Sequence, residues 1–340
     1  GDEMLLSTQL ALSEIDDNNI MIIPRDSGFE NKEKLNQAIQ EIIDEGAKII
    51  IGPVDSSLTK ELDKYSDIIF ISLSNREPKI TKNIINIGIS LESQLIAIQK
   101  FITKQNKNKT IIMYPKNDYE KFIDIKIKSL KFKNYKVFKY NTDPQLITGE
   151  IEKLTNYSQR KKNLGYRKKQ LEKKDDYQST KELKRLEQLY TLGEVNFDSV
   201  IIIDFGNNLK SVLASLVFSD VDDKKVLFTT INQWFDESIF YENSVKDLYF
   251  PSVNLKNFKK YNNDFFKTYG LNPSEITILA YDALGLIYYI WKKNDGINSI
   301  NDFFINEKIK GKIGTFRFQN GNVTQELKIY KTGNKKFTEY

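Results

Sequence analysis

Short strand-like runs alternate with amphipathic helical patterns along most of this chain. The runs are four or five residues long and rich in β-branched and aromatic side chains, at 20–23, 48–51, 68–71, 110–114, 136–140, 199–203, 225–229 and 247–250. Helical periodicity fills most of the intervals, at 2–14, 32–44, 58–65, 92–103, 120–130 and 209–218. Strands that alternate with helices predict an α/β fold with doubly wound, parallel sheets flanked by helices.

The last third of the chain departs from this alternation. Two helices are predicted at 258–269 and 274–293. Strands at 314–318 and 325–330 flank Asn320-Gly321-Asn322, and Asn-Gly between two strands is a strong signal for a hairpin.

Residues 148–190, called the arm below, also break the pattern because they are long, highly charged and helical throughout. The arm predicts two helices, each with an apolar stripe: Tyr157, Leu164 and Leu171 on the first, and Leu183, Leu186 and Tyr190 on the second. We expect the arm to pack on its own lobe with a solvated basic face. A second interpretation makes that face a docking surface for an acidic partner or for lipid headgroups. Its basic residues are Arg160, Lys161, Lys162, Arg167, Lys168 and Lys169.

The run at 48–51 stops at Gly52-Pro53, and a capping set of Asp55, Ser56 and Ser57 follows it. This order predicts a buried parallel strand that turns directly into a helix N-terminus. Free backbone N–H groups and the positive end of the helix dipole make such a turn suitable for a carboxylate. The alternative is that the serines only cap the helix.

Composition narrows the chemistry. A chain of 340 residues is expected to form two lobes. Because it has no Cys and no His, thiol nucleophiles, Ser-His-Asp triads and Cys/His metal sites are excluded. A net charge of +5 with 29% charged residues is typical of a well-solvated globular protein rather than a nucleic-acid binder. No apolar run approaches the roughly 20 residues that span a bilayer.

Several segments resemble type I periplasmic binding proteins of the leucine-binding group. They are Gly52-Pro-Val-Asp-Ser-Ser57, Phe70-Ile-Ser-Leu-Ser-Asn75, Ala280-Tyr-Asp-Ala-Leu284 and Gly311-Lys-Ile-Gly-Thr-Phe-Arg-Phe318. Within that group the chain looks most like the penicillin-binding-protein activators, on the arm that ends in Thr191-Leu-Gly-Glu194, on Ile203-Asp-Phe-Gly206 and on Asn232-Gln-Trp-Phe-Asp236.

The resemblance implies two lobes joined by three crossovers, near Asn106, Ser252 and Lys310. Lobe 1 would hold residues 1–106 plus 253–310, and lobe 2 residues 107–252 plus 311–340. It also implies that the first strand of the fold is missing here, because the helical pattern begins with the first residues. We therefore expect a mature or truncated chain that has lost its signal segment, with a lipid anchor possible outside it.

In this family the turns after the parallel strands line a cleft between the lobes. The cleft candidates are Asp55, Ser56, Ser57, Ser72, Ser74 and Asn75 from lobe 1, and Asn117, Asp118, Tyr119, Asp204, Phe205, Asn232 and Trp234 from lobe 2. The resemblance implies that hydroxyls of Ser56, Ser57 and Ser74 hold a carboxylate, Asp118 or Asp204 an ammonium, and the aromatic residues cover the ligand. For each there is a structural alternative: Ser57 and Ser74 as caps, Asp118, Tyr119 and Asp204 as turn residues, and Trp234 as core.

Three functions follow from these expectations. The first is a non-enzymatic cell-envelope protein of a Gram-negative periplasm that binds a peptidoglycan synthase, with Arg160, Lys161, Arg167 and Lys168 as partner-binding candidates. The second is a solute-binding protein that delivers an amino acid or similar small molecule to an ABC permease. The third is an enzyme based on carboxylates, such as a glycosidase, for which the support is generic. No cofactor, metal or nucleic acid is expected.

Overall fold

The protein is described from a computed structural model that covers all residues except 29, 55, 75–81, 242–246, 320–321 and 334, with the backbone alone at 56–57, 59–60, 241, 319 and 322. Its chain forms two compact units. The first unit consists of Gly1–Gln94 and Ser252–Lys328, and the second of Leu95–Pro251 and Ile329–Tyr340. No helix among the described residues combines the length and apolar character needed to cross a membrane.

Helices and strands alternate much as the sequence predicts. The helices are α1 (Asp2–Ile15), α2 (Lys32–Asp44), α3 (Leu91–Lys104), α4 (Glu120–Ser129), α5 (Pro144–Leu154), α6 (Tyr157–Leu171), α7 (Tyr177–Glu187), α8 (Gly206–Phe218), α9 (Leu255–Tyr269) and α10 (Thr277–Asn294). Short 3₁₀ helices span Ser56–Lys64, Glu237–Tyr241 and Ile300–Phe303. The strands are β1 (Ile49–Ile51), β2 (Ile69–Ser72), β3 (Ile84–Asn86), β4 (Thr110–Pro115), β5 (Tyr135–Tyr140), β6 (Ser199–Ile202), β7 (Leu227–Thr230), β8 (Tyr249–Ser252), β9 (Ile309–Lys310), β10 (Thr315–Gln319), β11 (Asn322–Glu326), β12 (Lys328–Gly333) and β13 (Lys336–Glu339).

The sheet of the first unit has the order β1–β2–β3–β11–β10–β9 among the described strands. β1, β2 and β3 are parallel, and β11 continues the sheet in parallel with β3. β10 is antiparallel to both β11 and β9. All four residues of β2 are buried, since α2 and the 3₁₀ helix at Ser56–Lys64 supply apolar residues that pack with Phe70.

The sheet of the second unit has the order β13–β12–β8–β7–β6–β4–β5. β4 to β8 are parallel, so their carboxyl ends lie at one edge of the sheet. Its core joins β4, β6 and β7 to α5 and α8 through buried aliphatic residues such as Val200, Ile202 and Leu213. The predicted α/β class with mostly parallel sheets is confirmed.

The chain changes units after Gln94, Pro251 and Lys328. The second position agrees with the crossover expected near Ser252, whereas the other two differ from those expected near Asn106 and Lys310. The last difference is the largest: residues 311–328, which the sequence analysis assigned to lobe 2, lie in the first unit. The cause is strand pairing, because β11 pairs with β3 at Asn322 and Asn86. The hairpin thereby continues the first sheet, and only β12 and β13 carry the chain into the second.

One predicted strand is not formed. Residues 20–23 are irregular, and Met21 is 76% exposed, since no neighbouring strand among the described residues pairs with this segment. In contrast, β3, β9 and β13 were not predicted. Their sequences are too short or too polar to stand out, and pairing with neighbouring strands makes them regular.

A buried carboxylate holds the turn before β10. Asp282, in the middle of α10, accepts hydrogen bonds from the N–H groups of Lys312 (2.7 Å, to Oδ1) and Ile313 (2.8 Å, to Oδ2). A Cβ at Gly311 would lie 2.8 Å from Cγ of Asp282, so the close approach requires glycine there. Burial raises the pKa of Asp282 to about 6. Two segments that the sequence analysis connected only by resemblance are therefore in direct contact.

Candidate functional site

The carboxyl edge of the second sheet gathers most of the lobe 2 candidates. Asp204 and Phe205 follow β6, and Asn232 and Trp234 follow β7, its neighbour in the sheet. In open α/β sheets, ligands bind outside the carboxyl ends of the strands. The position of these residues therefore agrees with a role in binding.

Asp204 is the most deeply buried charged group at this edge, with 6% of its surface exposed. Its Oδ2 accepts a hydrogen bond from the Tyr140 hydroxyl (2.6 Å), and its Oδ1 accepts one from the N–H of Phe205 (2.8 Å). Burial raises the pKa of Asp204, against the opposing effect of hydrogen bonds from Tyr140, Phe205 and Asn208. A carboxylate has about four acceptor positions, so a ligand N–H donor can still be accommodated beside these three bonds.

Tyr140 is a member of this site that the sequence analysis missed. It is the last residue of β5, and β4 lies between β5 and β6 in the sheet, so its side chain reaches across the end of β4. The ring is fully buried, and burial together with the neighbouring Asp204 raises the pKa of Tyr140 well above its usual range. The hydroxyl thus stays protonated as a donor. A signal was present, since Tyr140 ends the predicted strand 136–140 and Asp204 directly follows the predicted strand 199–203.

Phe205 points the other way, with 69% of its surface exposed. It is the N-cap residue of α8 and makes no side-chain capping bond. An exposed aromatic ring at an uncapped helix N-terminus, next to a buried carboxylate, offers an apolar contact, backbone donors and a negative charge within three consecutive residues.

The turn after β7 is tied to Asp204 through its backbone. Gln233, which the sequence analysis also missed, is buried and donates from Nε2 to the carbonyl of Asp204 (3.1 Å). Asn232 accepts from the N–H of Trp234 (3.0 Å), and Trp234 is half-buried with a positive φ of 49°. Asn232 therefore acts as a turn residue that fixes the backbone of Trp234.

Asp118 and Tyr119 lie after β4 and are both exposed. Asn117 accepts a hydrogen bond from the N–H of Tyr119 (3.0 Å), which is ordinary turn geometry before α4. Among the described residues, the carboxylate of Asp204 accepts hydrogen bonds from Tyr140, Phe205 and Asn208, and not from the turn at Asp118 and Tyr119. Of the two predicted ammonium acceptors, only Asp204 has the buried, hydrogen-bonded environment of a specific site.

The candidates in the first unit are less accessible than expected. Ser72 and Ser74 are buried, and Ser72 Oγ accepts from the N–H of Ser74 (3.3 Å). Ser56 and Ser57 begin the 3₁₀ helix that follows the Gly52-Pro53 turn, which contains a cis peptide bond, and their side chains lie outside the described part. Asp55 and Asn75 lie outside the described residues altogether.

A second polar cluster in the first unit was not predicted. Ser90 caps α3 by accepting from the N–H of Ser93 (3.1 Å), and Ser93 Oγ accepts from the N–H of Gln325 (3.0 Å). Gln325 in turn donates to the carbonyls of Ile87 and Gly88. All the side chains in this cluster are buried and satisfied, so it fixes β11 against the end of β3.

The structure corrects the role of Arg160, which was expected on a partner-binding surface. Arg160 is buried, and its guanidinium donates to the carbonyls of Thr155 (3.0 Å), Asp220 (3.1 Å) and Ser219 and to the hydroxyl of Thr191 (3.0 Å). Burial lowers its pKa. Arg160 therefore anchors the arm to its own unit.

Of the other three partner candidates, Arg167 is half-buried and Lys161 is exposed. Arg167 forms an ion pair with Glu182 of α7 (2.9 Å), Lys168 is half-buried, and Lys161 lies over the ring of Tyr157 (5.8 Å from the centroid).

The described residues contain no group of three or more acidic side chains arranged to hold a metal ion.

Neither a protein-family model nor a curated protein matches the sequence. Solved structures do match. A branched-chain amino acid ABC transporter periplasmic ligand-binding protein from Burkholderia xenovorans has a TM-score of 0.70 at 8% identity, covering 100% of this chain and 90% of that one. The chain has the fold of the type I, leucine-binding periplasmic proteins.

Two further matches carry ligands. An ABC transporter substrate-binding protein from Desulfitobacterium hafniense in complex with Leu has a TM-score of 0.64 at 14% identity, covering 99% of this chain and 95% of that one. A solute-binding protein from R. palustris in complex with benzoate has a TM-score of 0.56 at 12% identity, covering 99% and 90%. Because one fold accommodates both molecules, the ligand class must be argued from side chains.

Proposed function

We infer that this protein is a non-enzymatic solute-binding protein of the cell envelope that binds a small molecule with a positively charged amino group, such as an amino acid. The observation that carries this proposal is the buried carboxylate of Asp204 at the carboxyl edge of a parallel sheet, beside the exposed ring of Phe205. The fold shared with transporter binding proteins supports it, and we propose an ABC permease as the partner.

In this proposal the ligand ammonium donates to Asp204, and Phe205 covers its carbon skeleton. A charge-assisted hydrogen bond to a carboxylate that is removed from water is stronger than one formed in solvent. Tyr140 and Gln233 act as positioning residues, since the first holds the carboxylate and the second holds its backbone.

A thermal-shift screen against amino acids, small acids, polyamines and muropeptides tests the proposal. A ligand at about 100 times its dissociation constant stabilises the folded state by roughly 2.7 kcal/mol, which is about 5 °C or more here. Asp204→Asn should abolish the shift. Asp198→Asn is the matched control, because Asp198 precedes the same strand at its other end and accepts the N–H groups of Asn108 (2.8 Å) and Lys109 (2.9 Å).

The outcomes separate the function from the site. No shift with any compound class, in a folded protein, contradicts solute binding. A shift that Asp204→Asn and Asp198→Asn reduce equally leaves solute binding in place and rules out Asp204 as the ligand acceptor.

The second candidate function is that of an activator of a penicillin-binding protein. It rests on the arm, in which α6 and α7 form a charged helical hairpin of the second unit. Two of its partner-binding candidates are already engaged in the second unit, since Arg160 donates to the carbonyls of Ser219 and Asp220 and Arg167 pairs with Glu182. Co-purification with a peptidoglycan synthase, lost when 157–190 is replaced by a short linker, would favour this candidate over solute binding.

A further inference from the structure

The first sheet has an edge strand that contains neither charge nor proline. β1 is the outermost described strand on its side of the sheet, and its three residues are half-buried isoleucines. An open edge strand is a template for pairing with another strand, which proteins usually prevent with charged residues, proline or short length. Of these devices, β1 has only its short length.

The other described edges carry more protection. β9, at the opposite edge of the same sheet, is two residues long and contains the exposed Lys310. β5 and β13, the two edges of the second sheet, contain the exposed residues Lys136 and Lys336. β1 is therefore the described edge that is most open to pairing.

Hydrogen bonding to β2 shows which backbone groups of β1 are available. The carbonyl of Lys48 accepts a hydrogen bond from β2 and the N–H of Gly52 donates one to it, each at 2.9 Å. Alternate residues of a parallel strand face the same neighbour, so Ile50 also faces β2, whereas the N–H and C=O groups of Ile49 and Ile51 point away from it. Within the described part of the chain, no hydrogen bond reaches these four groups.

We propose that β1 pairs with β1 of a second copy of this chain. A two-fold axis beside Ile50 would run the two strands antiparallel, with Ile49 opposite Ile51 of the second copy. Opposite residues of this kind exchange two hydrogen bonds in an antiparallel pair, so all four available groups on each copy would be used. The edge is thus complementary to itself, as a two-fold symmetric contact requires.

The charges around β1 are compatible with this pairing. Lys48 is the one charged residue among 48–52, and it would lie opposite Gly52 of the second copy. The two lysines would therefore lie at opposite ends of the paired strands, where they do not repel each other closely.

The irregular run at 20–23 offers further apolar surface. Arg25, just after this run, donates from Nε to Glu41 of α2 (2.8 Å) and pairs with Glu45, and β1 begins four residues after Glu45. We therefore expect the run to lie near the start of β1. Met21 is 76% exposed and would gain apolar contact in the dimer.

The shortness of the paired edge sets the expected affinity. A contact built on a few residues of edge strand belongs to the small class of interfaces, below roughly 1,200 Å². We expect a dissociation constant of about 10–100 µM. Sedimentation equilibrium of the full chain should then show a mass that rises with concentration from 39.6 kDa toward twice that value.

Ile49→Pro tests the edge itself. It removes an N–H group that points away from β2, a position at which an edge strand tolerates proline, and should weaken the dimer about tenfold or more. Val137→Pro is the matched control, because the carbonyl of Asn134 accepts the N–H of Thr110 (3.1 Å) and the same alternation points the N–H of Val137 away from β4. Equal weakening in both variants overturns the proposal.

Cross-linking tests the two-fold register without relying on a proline variant that folds. The chain has no cysteine, so Ile50→Cys introduces a single thiol. Opposite Cα atoms at such a non-hydrogen-bonded position lie about 4.5 Å apart, within the range that a disulfide spans. Mild oxidation should therefore link Ile50→Cys into a dimer faster than Val137→Cys, although Ile50 is half-buried and Val137 is 39% exposed.

Three results would overturn the proposal. The first is a monomer at every concentration up to about 500 µM, well above the expected dissociation constant. The second is cross-linking of Val137→Cys that is as fast as that of Ile50→Cys. The third is a dimer that Ile50→Cys does not link, because its contact would then lie elsewhere on the chain.

Discussion

Replacement of Gly311 by alanine is the sharpest test of the contact between α10 and the turn before β10. The added Cβ would lie 2.8 Å from Cγ of Asp282 and closer still to Oδ2, and the carboxylate is completely enclosed. To relieve the clash, Asp282 must give up its bonds to the N–H groups of Lys312 and Ile313. Each such bond to a charged group contributes about 1.5–3 kcal/mol, so we expect a loss of about 3–5 kcal/mol in the free energy of unfolding.

The two tryptophans of the chain allow the loss to be measured in the first unit by itself. Trp291 lies in α10 and Trp234 in the second unit, so in a Trp234→Phe background the fluorescence of Trp291 reports on the first unit. Urea unfolding should show a lower midpoint for Gly311→Ala, and the melting temperature should fall by about 10 °C.

Gly285→Ala is the control, because Gly285 lies in the same helix with nothing within 4 Å of an added Cβ. That change should stabilise the helix by about 0.5–1 kcal/mol. In an Asp282→Ala background the clash is gone, so Gly311→Ala should cost less than about 1 kcal/mol. The same cost with and without the Asp282 carboxylate would refute the reasoning.

Three further predictions concern single side chains. Tyr140→Phe removes the hydroxyl that donates to Asp204 but keeps the ring, so we expect the free energy of unfolding in urea to fall by about 1–3 kcal/mol. The pKa of Asp204 should rise in a carbon NMR titration, and an unchanged pKa would contradict the hydrogen bond between the two residues. Arg160→Met leaves three backbone carbonyls without their donor and should lower the free energy of unfolding by about 2–4 kcal/mol. Lys162→Met, at an exposed position of the same helix, should lower it by less than about 0.5 kcal/mol, and equal losses would contradict the anchoring role of Arg160. Because the pKa of Asp282 is raised from 3.8 to about 6, the folded state binds more protons than the unfolded state between those pH values, and the free energy of unfolding should fall by up to about 3 kcal/mol as the pH rises from 4 to 6. Asp282→Asn should flatten this part of the stability–pH curve, and a curve that stays parallel to that of the natural chain would show that another group titrates.

The sequence indicated the second unit's candidate site better than the first unit's. Asp204 and Phe205 were found because a polar residue directly after a buried parallel strand lies at the sheet edge where ligands bind. Tyr140 was missed because its partner is 64 positions away, and the order β6–β4–β5 that brings them together is a property of the sheet.

The arm shows how helical phase can mislead. Periodicity correctly placed two helices with apolar stripes, but Arg160 and Arg167 were assigned to the outside because they are charged. The structure buries Arg160, where carbonyl oxygens of Thr155, Ser219 and Asp220 replace water, and pairs the half-buried Arg167 with Glu182 of α7. A charged residue is excluded from the interior only when it lacks such partners.

Local sequence therefore determined the elements of this protein and most of their order, since strand and helix periodicity depend on neighbours along the chain. Tertiary structure alone decided that residues 20–23 stay irregular, that β11 joins β3, and that Asp282 meets the Gly311 turn. Each of these outcomes depends on whether the fold supplies a hydrogen-bonding partner that is distant in sequence. A backbone or carboxylate group becomes ordered and buried only where such a partner is present.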